Sequence, residues 1–155
     1  APHFKTFAGL EHRQERVSDD KDLVFINDSK ATNAEAALPA LQAFENIYWI
    51  AGGQAKEGGI EMLLPHLDKV RHAFLIGECA AEFQAQLSGT VPTTVLQTLD
   101  QATPAAATMA MAAGASESAP ATILLSPASA SFDQFRSFEA RGQAFKQAVE
   151  NFKNS

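Results

Sequence analysis

Leu23-Val24-Phe25-Ile26-Asn27, followed directly by Asp28-Ser29-Lys30-Ala31-Thr32-Asn33, decides how this chain is read. The first four residues are apolar at neighbouring positions, which suits a strand covered on both faces rather than a half-exposed one. The six that follow are mostly polar, hydroxylated or cationic, as expected where a buried strand emerges at a sheet edge. The same switch recurs along the chain. Ile47-Tyr48-Trp49-Ile50-Ala51 runs into Gly52-Gly53-Gln54-Ala55-Lys56-Glu57-Gly58-Gly59, and Ala73-Phe74-Leu75-Ile76 into Gly77-Glu78-Cys79. Thr122-Ile123-Leu124-Leu125 runs into Ser126-Pro127-Ala128-Ser129-Ala130-Ser131-Phe132-Asp133. A shorter, more polar run, Thr93-Thr94-Val95-Leu96, lies between the last two.

Helical patterns separate these strands. Residues 33–44 place Ala36, Ala37, Leu41 and Phe44 at helical spacing, with Pro39 inside the run as a source of kinking or shortening. Thr32 and Glu35 have the spacing of a capping box ahead of it. Residues 60–68 and 79–87 read as shorter helices. Thr98 and Gln101 form a second capping box, before an Ala-rich helix expected to stop at Gly114. Phe135, Phe138, Gly142, Phe145, Val149 and Phe152 recur at steps of three and four, the stripe by which a last helix docks on the sheet. Near the start, Arg13-Gln14-Glu15-Arg16-Val17 and the turn-like Ser18-Asp19-Asp20-Lys21-Asp22 read as a polar edge strand in a hairpin with Leu23–Asn27. The expected fold is one α/β domain over residues 1–155. It is Rossmann-like: a mostly parallel sheet with an antiparallel N-terminal edge strand and helices on both faces.

Composition bounds the function. A chain of 155 residues, 46% hydrophobic and 19% charged, has enough apolar content for one real core and too few charges for a disordered polyelectrolyte. Twelve Lys and Arg against 18 Asp and Glu give a net charge of −6, which disfavours a non-specific nucleic-acid binder without excluding a local basic pocket. No apolar run approaches the roughly 18 residues of a membrane span, and the first 30 residues are too polar for a signal peptide. The single cysteine, Cys79, excludes an internal disulfide. His3, His12, His66 and His72 lack metal-ligand spacing, so no metal site is expected.

In open parallel sheets, ligands bind beyond the carboxyl ends of the strands. The loops there carry Lys30 and Lys56, several hydroxyls and glycines, a set suited to an anionic ligand. Each loop also has a plainer reading. Asp28, Thr32 and Asn33 serve as turn and cap residues in many proteins. The Gly52–Gly59 loop is not a Walker A loop, since Glu57 rather than Ser or Thr follows Lys56. Ser131 reads as the N-cap of an ordinary helix entry, Arg13 as a solvated edge charge, and the Phe138 ring as core or as a pocket wall.

Four motifs, in order and spanning nearly the whole chain, narrow the choice. They are Phe7-Ala8-Gly9-Leu10-Glu11-His12-Arg13; Asn27-Asp28-Ser29-Lys30-Ala31-Thr32-Asn33; Gly52-Gly53 with Lys56; and Leu125–Phe135 continuing into Phe138-Glu139-Ala140-Arg141-Gly142. Together they resemble the C-terminal domain of a Mur ligase, and within that family the members that add D-glutamate. Relatives acting on other amino acids usually carry an Asp-Tyr-Ala-His-type sequence where this chain has Asp28-Ser29-Lys30-Ala31-Thr32.

The resemblance implies ATP-dependent peptide-bond synthesis in cytoplasmic peptidoglycan assembly. The carboxylate of UDP-N-acetylmuramoyl-L-alanine is phosphorylated by ATP with Mg²⁺, and the amine of D-glutamate attacks the acyl phosphate. By the same resemblance, Thr32, Lys56, Ser131 and Phe138 hold the two carboxylates of D-glutamate, with Phe132 at the pocket wall. Arg13 and Asp28 reach the nucleotide through phosphate and ribose, and Lys30 and His12 are their neighbours. The chain has no G-x-x-G-K-[ST] sequence; the family's ATP loop, catalytic Glu and His and carbamylated Lys belong to a central domain, and the UDP-sugar pocket to an N-terminal one. The chain is therefore expected to be an excised third domain, folding alone but inactive by itself. Two other readings stand beside this one: a folylpolyglutamate synthase-type ligase domain, against which the Asp28–Asn33 motif argues, and a stand-alone Rossmann-like anion-binding module.

Overall fold

The computed structural model describes residues 10–155. Phe7-Ala8-Gly9 of the first motif, and His3, lie outside the described residues. Among the described residues, six strands form one sheet in the order β1-β2-β6-β3-β4-β5. They are β1 (Glu15–Arg16), β2 (Leu23–Asn27), β3 (Ile47–Gly52), β4 (Val70–Ile76), β5 (Thr93–Val95) and β6 (Ala121–Leu125). All neighbouring pairs are parallel except β1 with β2, where Glu15 faces Asn27 and Arg16 faces Ile26. The expected sheet, with its antiparallel edge hairpin, is the one observed.

Among the described residues, four α-helices cover the sheet: α1 (Ala34–Ala43), α2 (Ala80–Leu87), α3 (Leu99–Ala112) and α4 (Phe138–Lys153). Alternation along β3 divides the core. Trp49 and Ala51 join Ile26 and Leu124 under α1 and α2, packing on Leu41, Leu63 and Phe83. Tyr48 and Ile50 join Phe25 and Ile123 on the opposite face, under α3 and α4, with Ala106, Phe145 and Val149. Successive side chains of a strand point to opposite faces, so an all-apolar strand must feed two cores.

Several local expectations need correction. Asn33, not Thr32, caps α1, its side chain accepting from the backbone N–H of Ala36 at 2.8 Å. An N-cap contributes its side chain to the first turn only from an extended backbone, and Asn33 has φ −153° and ψ 171°. Thr32 is thereby left to the neighbouring cleft. Pro39 lies inside α1, which continues to Ala43. The short helix expected over residues 60–68 is present as a 3-10 helix over residues 61–66, with Pro65 inside it. Ser137, not Ser131, starts the last helix, accepting from Ala140 N–H at 3.0 Å, so Phe135 lies ahead of the helix it was expected to open. At α3 the expected box is present: Gln101 Oε1 accepts from Thr98 N–H at 3.2 Å, and Gly114 follows the helix end with φ 102°.

Strand order is what assembles a site. β6 is inserted between β2 and β3. The chain leaves β2 toward α1 on one face and leaves β6 toward α4 on the other. Adjacent strands whose connections depart to opposite faces open a crevice at their carboxyl ends.

Candidate functional site

The crevice holds a cleft of about 470 Å³ lined by Arg13, Gln14, Asp28, Lys30, Ala31, Thr32, Ala36, Pro39 and Phe138. Five sequence-derived candidates thus converge there: Arg13, Asp28, Lys30, Thr32 and Phe138. Arg13 comes from the edge segment, Asp28 to Thr32 from the end of β2, and Phe138 from the first turn of α4.

Asp28 is buried at 3% exposure. Its Oδ1 accepts from the backbone N–H of Gln14 at 3.0 Å, and its Oδ2 from Ser126 Oγ at 2.7 Å. Burial nonetheless wins over these bonds and over the nearby Arg13 charge, pushing the carboxyl up to about 6. Lys30 Nζ lies 4.7 Å from the centre of the Phe138 ring, a cation over an aromatic face. Phe138 is half-buried on the cleft wall, the second of the two readings its position allowed.

Lys56 opens on a neighbouring hollow of about 320 Å³, shared with Asn33, Glu35, Glu57, Glu61 and Met62 among others. The N-terminus of α1 separates the two spaces, with Thr32 lining one and Asn33 the other. Ser131 is buried at 2% exposure, and its carbonyl accepts from Gln134 and Phe135 N–H. Phe132 is 68% exposed. His12 is buried and does not line the cleft: its Nδ1 lies 2.9 Å from Asn27 Nδ2, its ring and that of Phe138 stand T-shaped, and its carbonyl accepts from Lys30 N–H.

The loops after β3 and β6 are joined backbone to backbone, Gln54 and Ala130 exchanging N–H···O bonds of 2.8 and 2.9 Å. Lys56 and Ser131 flank this bridge. The close approach depends on Gly53, at φ 146°, where a Cβ would strike the Ala130 carbonyl; at Gly52, φ 126°, a Cβ would strike the Ile76 carbonyl on β4. Trp49 Nε1 donates to the Ser126 carbonyl at 2.7 Å, fixing the start of the β6 loop from inside the core.

Arg141 stands in the last motif, where the resemblance gives it no ligand role. It is a fully buried guanidinium, 1% exposed. Nε donates to Ser29 Oγ at 2.9 Å, Nη2 to the Ser29 carbonyl at 2.7 Å, and Nη1 to the Ser129 carbonyl at 3.0 Å. Ser29 Oγ in turn donates to the Phe138 carbonyl at 2.7 Å. One side chain of α4 therefore ties the β2 loop to the β6 loop behind the cleft, the kind of multi-acceptor bridge that Arg's rigid fork permits. Burial lowers its pKa to about 10, which leaves it charged at neutral pH. Its signal was in the stripe: Arg141 lies three residues after Phe138 and four before Phe145, on the packed face.

Among the described residues, no group of three or more His, Cys, Asp or Glu side chains is placed to hold a metal ion, and no helix is long and apolar enough to cross a membrane. Two cations, one buried acceptor and a hydroxyl surround one cleft, and a third cation, Lys56, stands in the adjoining hollow beside Glu35, Glu57 and Glu61.

A mostly parallel six-stranded sheet with helices around it and a cleft at the carboxyl ends of its strands defines a Rossmann-like α/β domain. The family profile described as Mur ligase, glutamate ligase domain, matches residues 12–154, and the chain belongs to that family. It is 52% identical over 148 residues to the UDP-N-acetylmuramoylalanine–D-glutamate ligase of Paramagnetospirillum magneticum, covering 95% of this chain and 32% of that protein. To the ligase of the same name from Brucella abortus it is 52% identical over 149 residues, covering 94% of this chain and 31% of the relative. The chain thus spans about a third of the length of these relatives. Among solved structures, the UDP-N-acetylmuramate–alanine ligase MurC of Thermotoga maritima superposes with a TM-score of 0.59 at 16% identity, over 96% of this chain and 31% of that one, a likeness of fold.

Proposed function

We propose that this chain is the amino-acid-binding domain of an ATP-dependent ligase that adds D-glutamate to UDP-N-acetylmuramoyl-L-alanine in cytoplasmic peptidoglycan synthesis. The observation that carries the reading is the convergence of Arg13, Asp28, Lys30, Thr32 and Phe138 on one cleft, with Lys56 opening beside it. Relatives of about 50% identity named for this reaction support it, and neither the folylpolyglutamate-type reading nor the stand-alone module is favoured.

In this reading the cleft faces the nucleotide. Arg13 and Lys30, both exposed, fit phosphate oxygens, Arg13 through its planar fork. Asp28, whose oxygens retain free lone pairs beside the Gln14 and Ser126 bonds, accepts from a ribose hydroxyl. The described residues do not fit Mg²⁺, so its ligands and the phosphate cradle are assigned to other domains of the longer enzyme, and no step is drawn through the metal. D-Glutamate is held between the loops: Thr32 at the start of α1, Lys56 across the Gln54–Ala130 bridge from Ser131, and Phe138 and Phe132 as apolar walls. A dianion needs donors from more than one loop, and the bridge holds two of those loops in register. His12 acts from behind the wall rather than on the ligand. The domain binds and orients; it leaves the amine of D-glutamate free to attack.

The test uses the full-length ligase. Lys56→Ala is expected to raise KM for D-glutamate by about 10–100-fold, the loss of one charge-assisted contact of roughly 1.5–3 kcal/mol. The melting temperature should be unchanged, because Lys56 is exposed. The 155-residue chain alone, given ATP, Mg²⁺ and both substrates, is expected to release no phosphate. Unchanged D-glutamate kinetics would remove Lys56 from the site, and turnover by the chain alone would overturn the domain assignment.

A further inference from the structure

The backbone on either side of Arg13 is held mainly by groups outside the cleft. The residues on either side of it, His12 and Gln14, both have left-handed backbones, with φ 67° and 48°. Non-glycine residues keep that conformation only where the surroundings impose it, and such outliers gather at functional sites. Here the imposing contacts are identifiable. The buried His12 ring lies over Gly142, where any Cβ would strike its Nδ1. Asn27 Nδ2 meets His12 Nδ1 at 2.9 Å and donates to Glu15 Oε1 at 3.0 Å, and the same Glu15 oxygen accepts from His12 N–H at 3.2 Å. Gln14 N–H is taken by Asp28.

Lys146 closes this arrangement from α4. Its Nζ lies 2.9 Å from Glu11 Oε2 and 3.0 Å from Glu15 Oε2, so one ammonium spans both carboxylates that bracket the His12–Gln14 segment. We propose that Lys146 is a positioning residue for Arg13: by pinning Glu11 and Glu15 it fixes the left-handed segment that aims the Arg13 guanidinium at the cleft. The inference rests on the reading of Arg13 as a phosphate-binding residue. A solvated surface pair would contribute little to stability. Lys146 differs in that its side chain and that of Glu15 are only 25% and 26% exposed, and its role is geometric. Lys146 itself does not line the cleft, so an effect on nucleotide use must pass through Arg13.

The experiment is steady-state kinetics and thermal melting of the full-length ligase. Lys146→Met is expected to raise KM for ATP about tenfold, with KM for D-glutamate moving less than about twofold. Glu15→Gln should act in the same direction. Lys146→Arg, which can still span two carboxylates, should bring KM for ATP back to within about threefold of the parent. Arg13→Ala should raise KM for ATP at least as much, and in that background Lys146→Met should add nothing, because the two residues act as one unit. If Arg13→Ala raises KM for ATP and Lys146→Met does not, the reading of Arg13 stands and the positioning role falls. Additive effects, or an equal rise in both KM values, overturn it as well. If Arg13→Ala leaves KM for ATP unchanged, Arg13 is not a phosphate residue and the proposal fails with that reading.

Discussion

Replacing Asp28 by Asn should make the domain more stable at neutral pH while damaging the site it serves. Asp28 sits at 3% exposure with its carboxyl raised from 3.8 to about 6, and burial is the dominant cause. A carboxyl whose pKa is higher folded than unfolded binds more protons in the native state between those two values. Stability therefore falls as pH rises through that window, and the full penalty is present above about pH 6. A displacement of about two units at 1.36 kcal/mol each sets a ceiling near 3 kcal/mol. Asn removes the charge and keeps most of the pairing. Its Oδ1 still accepts from Gln14 N–H, and its Nδ2 faces Ser126 Oγ, which then accepts instead of donating. Re-aiming the Ser126 hydroxyl leaves one proton to be rehoused, so the net gain expected is about 1–2 kcal/mol, or several degrees in Tm at this chain length. The assay is thermal unfolding of the 155-residue chain and its Asp28→Asn variant from pH 4 to pH 8. The variant should melt higher at pH 7.5, and the difference should shrink toward pH 4, where the parent carboxyl is also protonated. A variant that melts lower at pH 7.5, or a difference that does not change with pH, would refute the claim that desolvation dominates at Asp28. In the full-length ligase the same substitution should raise KM for ATP.

Two other substitutions probe the frame of the site. Gly142→Leu is expected to prevent normal folding, because a side chain there enters the space of His12 Nδ1 and approaches Asn27 Nδ2; a soluble variant with the parent's melting curve would show that His12 can leave its seat at no cost. Arg141→Lys should lose about 2–4 kcal/mol of stability, since one ammonium cannot reach Ser29 Oγ, the Ser29 carbonyl and the Ser129 carbonyl together. Chemical denaturation measures that loss, and a midpoint shifted by less than about 1 kcal/mol equivalent would contradict it.

How far the sequence reveals the structure depends on the range over which each feature is decided. The strands are legible because runs such as Trp49-Ile50-Ala51 leave no face for water, and α4 because its apolar stripe persists from Phe138 to Phe152. The choice of cap at α1 is harder. Thr32 and Asn33 both suit the role, and the outcome turns on Asn33 having the extended backbone and reaching Ala36 N–H. At the last helix, Ser131 and Ser137 are equally good caps in isolation, and only the folding of residues 131–136 into turns over the sheet edge selects the second.

The candidate loops are legible for a different reason: a parallel sheet places every strand's carboxyl end on one edge, so the polar segments after each strand can be listed without knowing how the strands are ordered. Which of them meet is another matter. β6, the last strand in the chain, lies between β2 and β3, and this insertion brings Ser126 to Asp28 and Ala130 to Gln54. His12 is the instructive case. Its place beside Arg13 made it a candidate ligand group, yet the absence of a side chain at Gly142, far along the chain, draws its ring inward. Arg141 shows the converse. Its spacing put it on the buried face, and a charge there is tolerable because acceptors at Ser29 and Ser129 converge on it. Gly142 for His12 and Ser29 for Arg141 each lie more than a hundred residues away in the chain, so the role is set by packing between elements and not by the motif in which the residue stands.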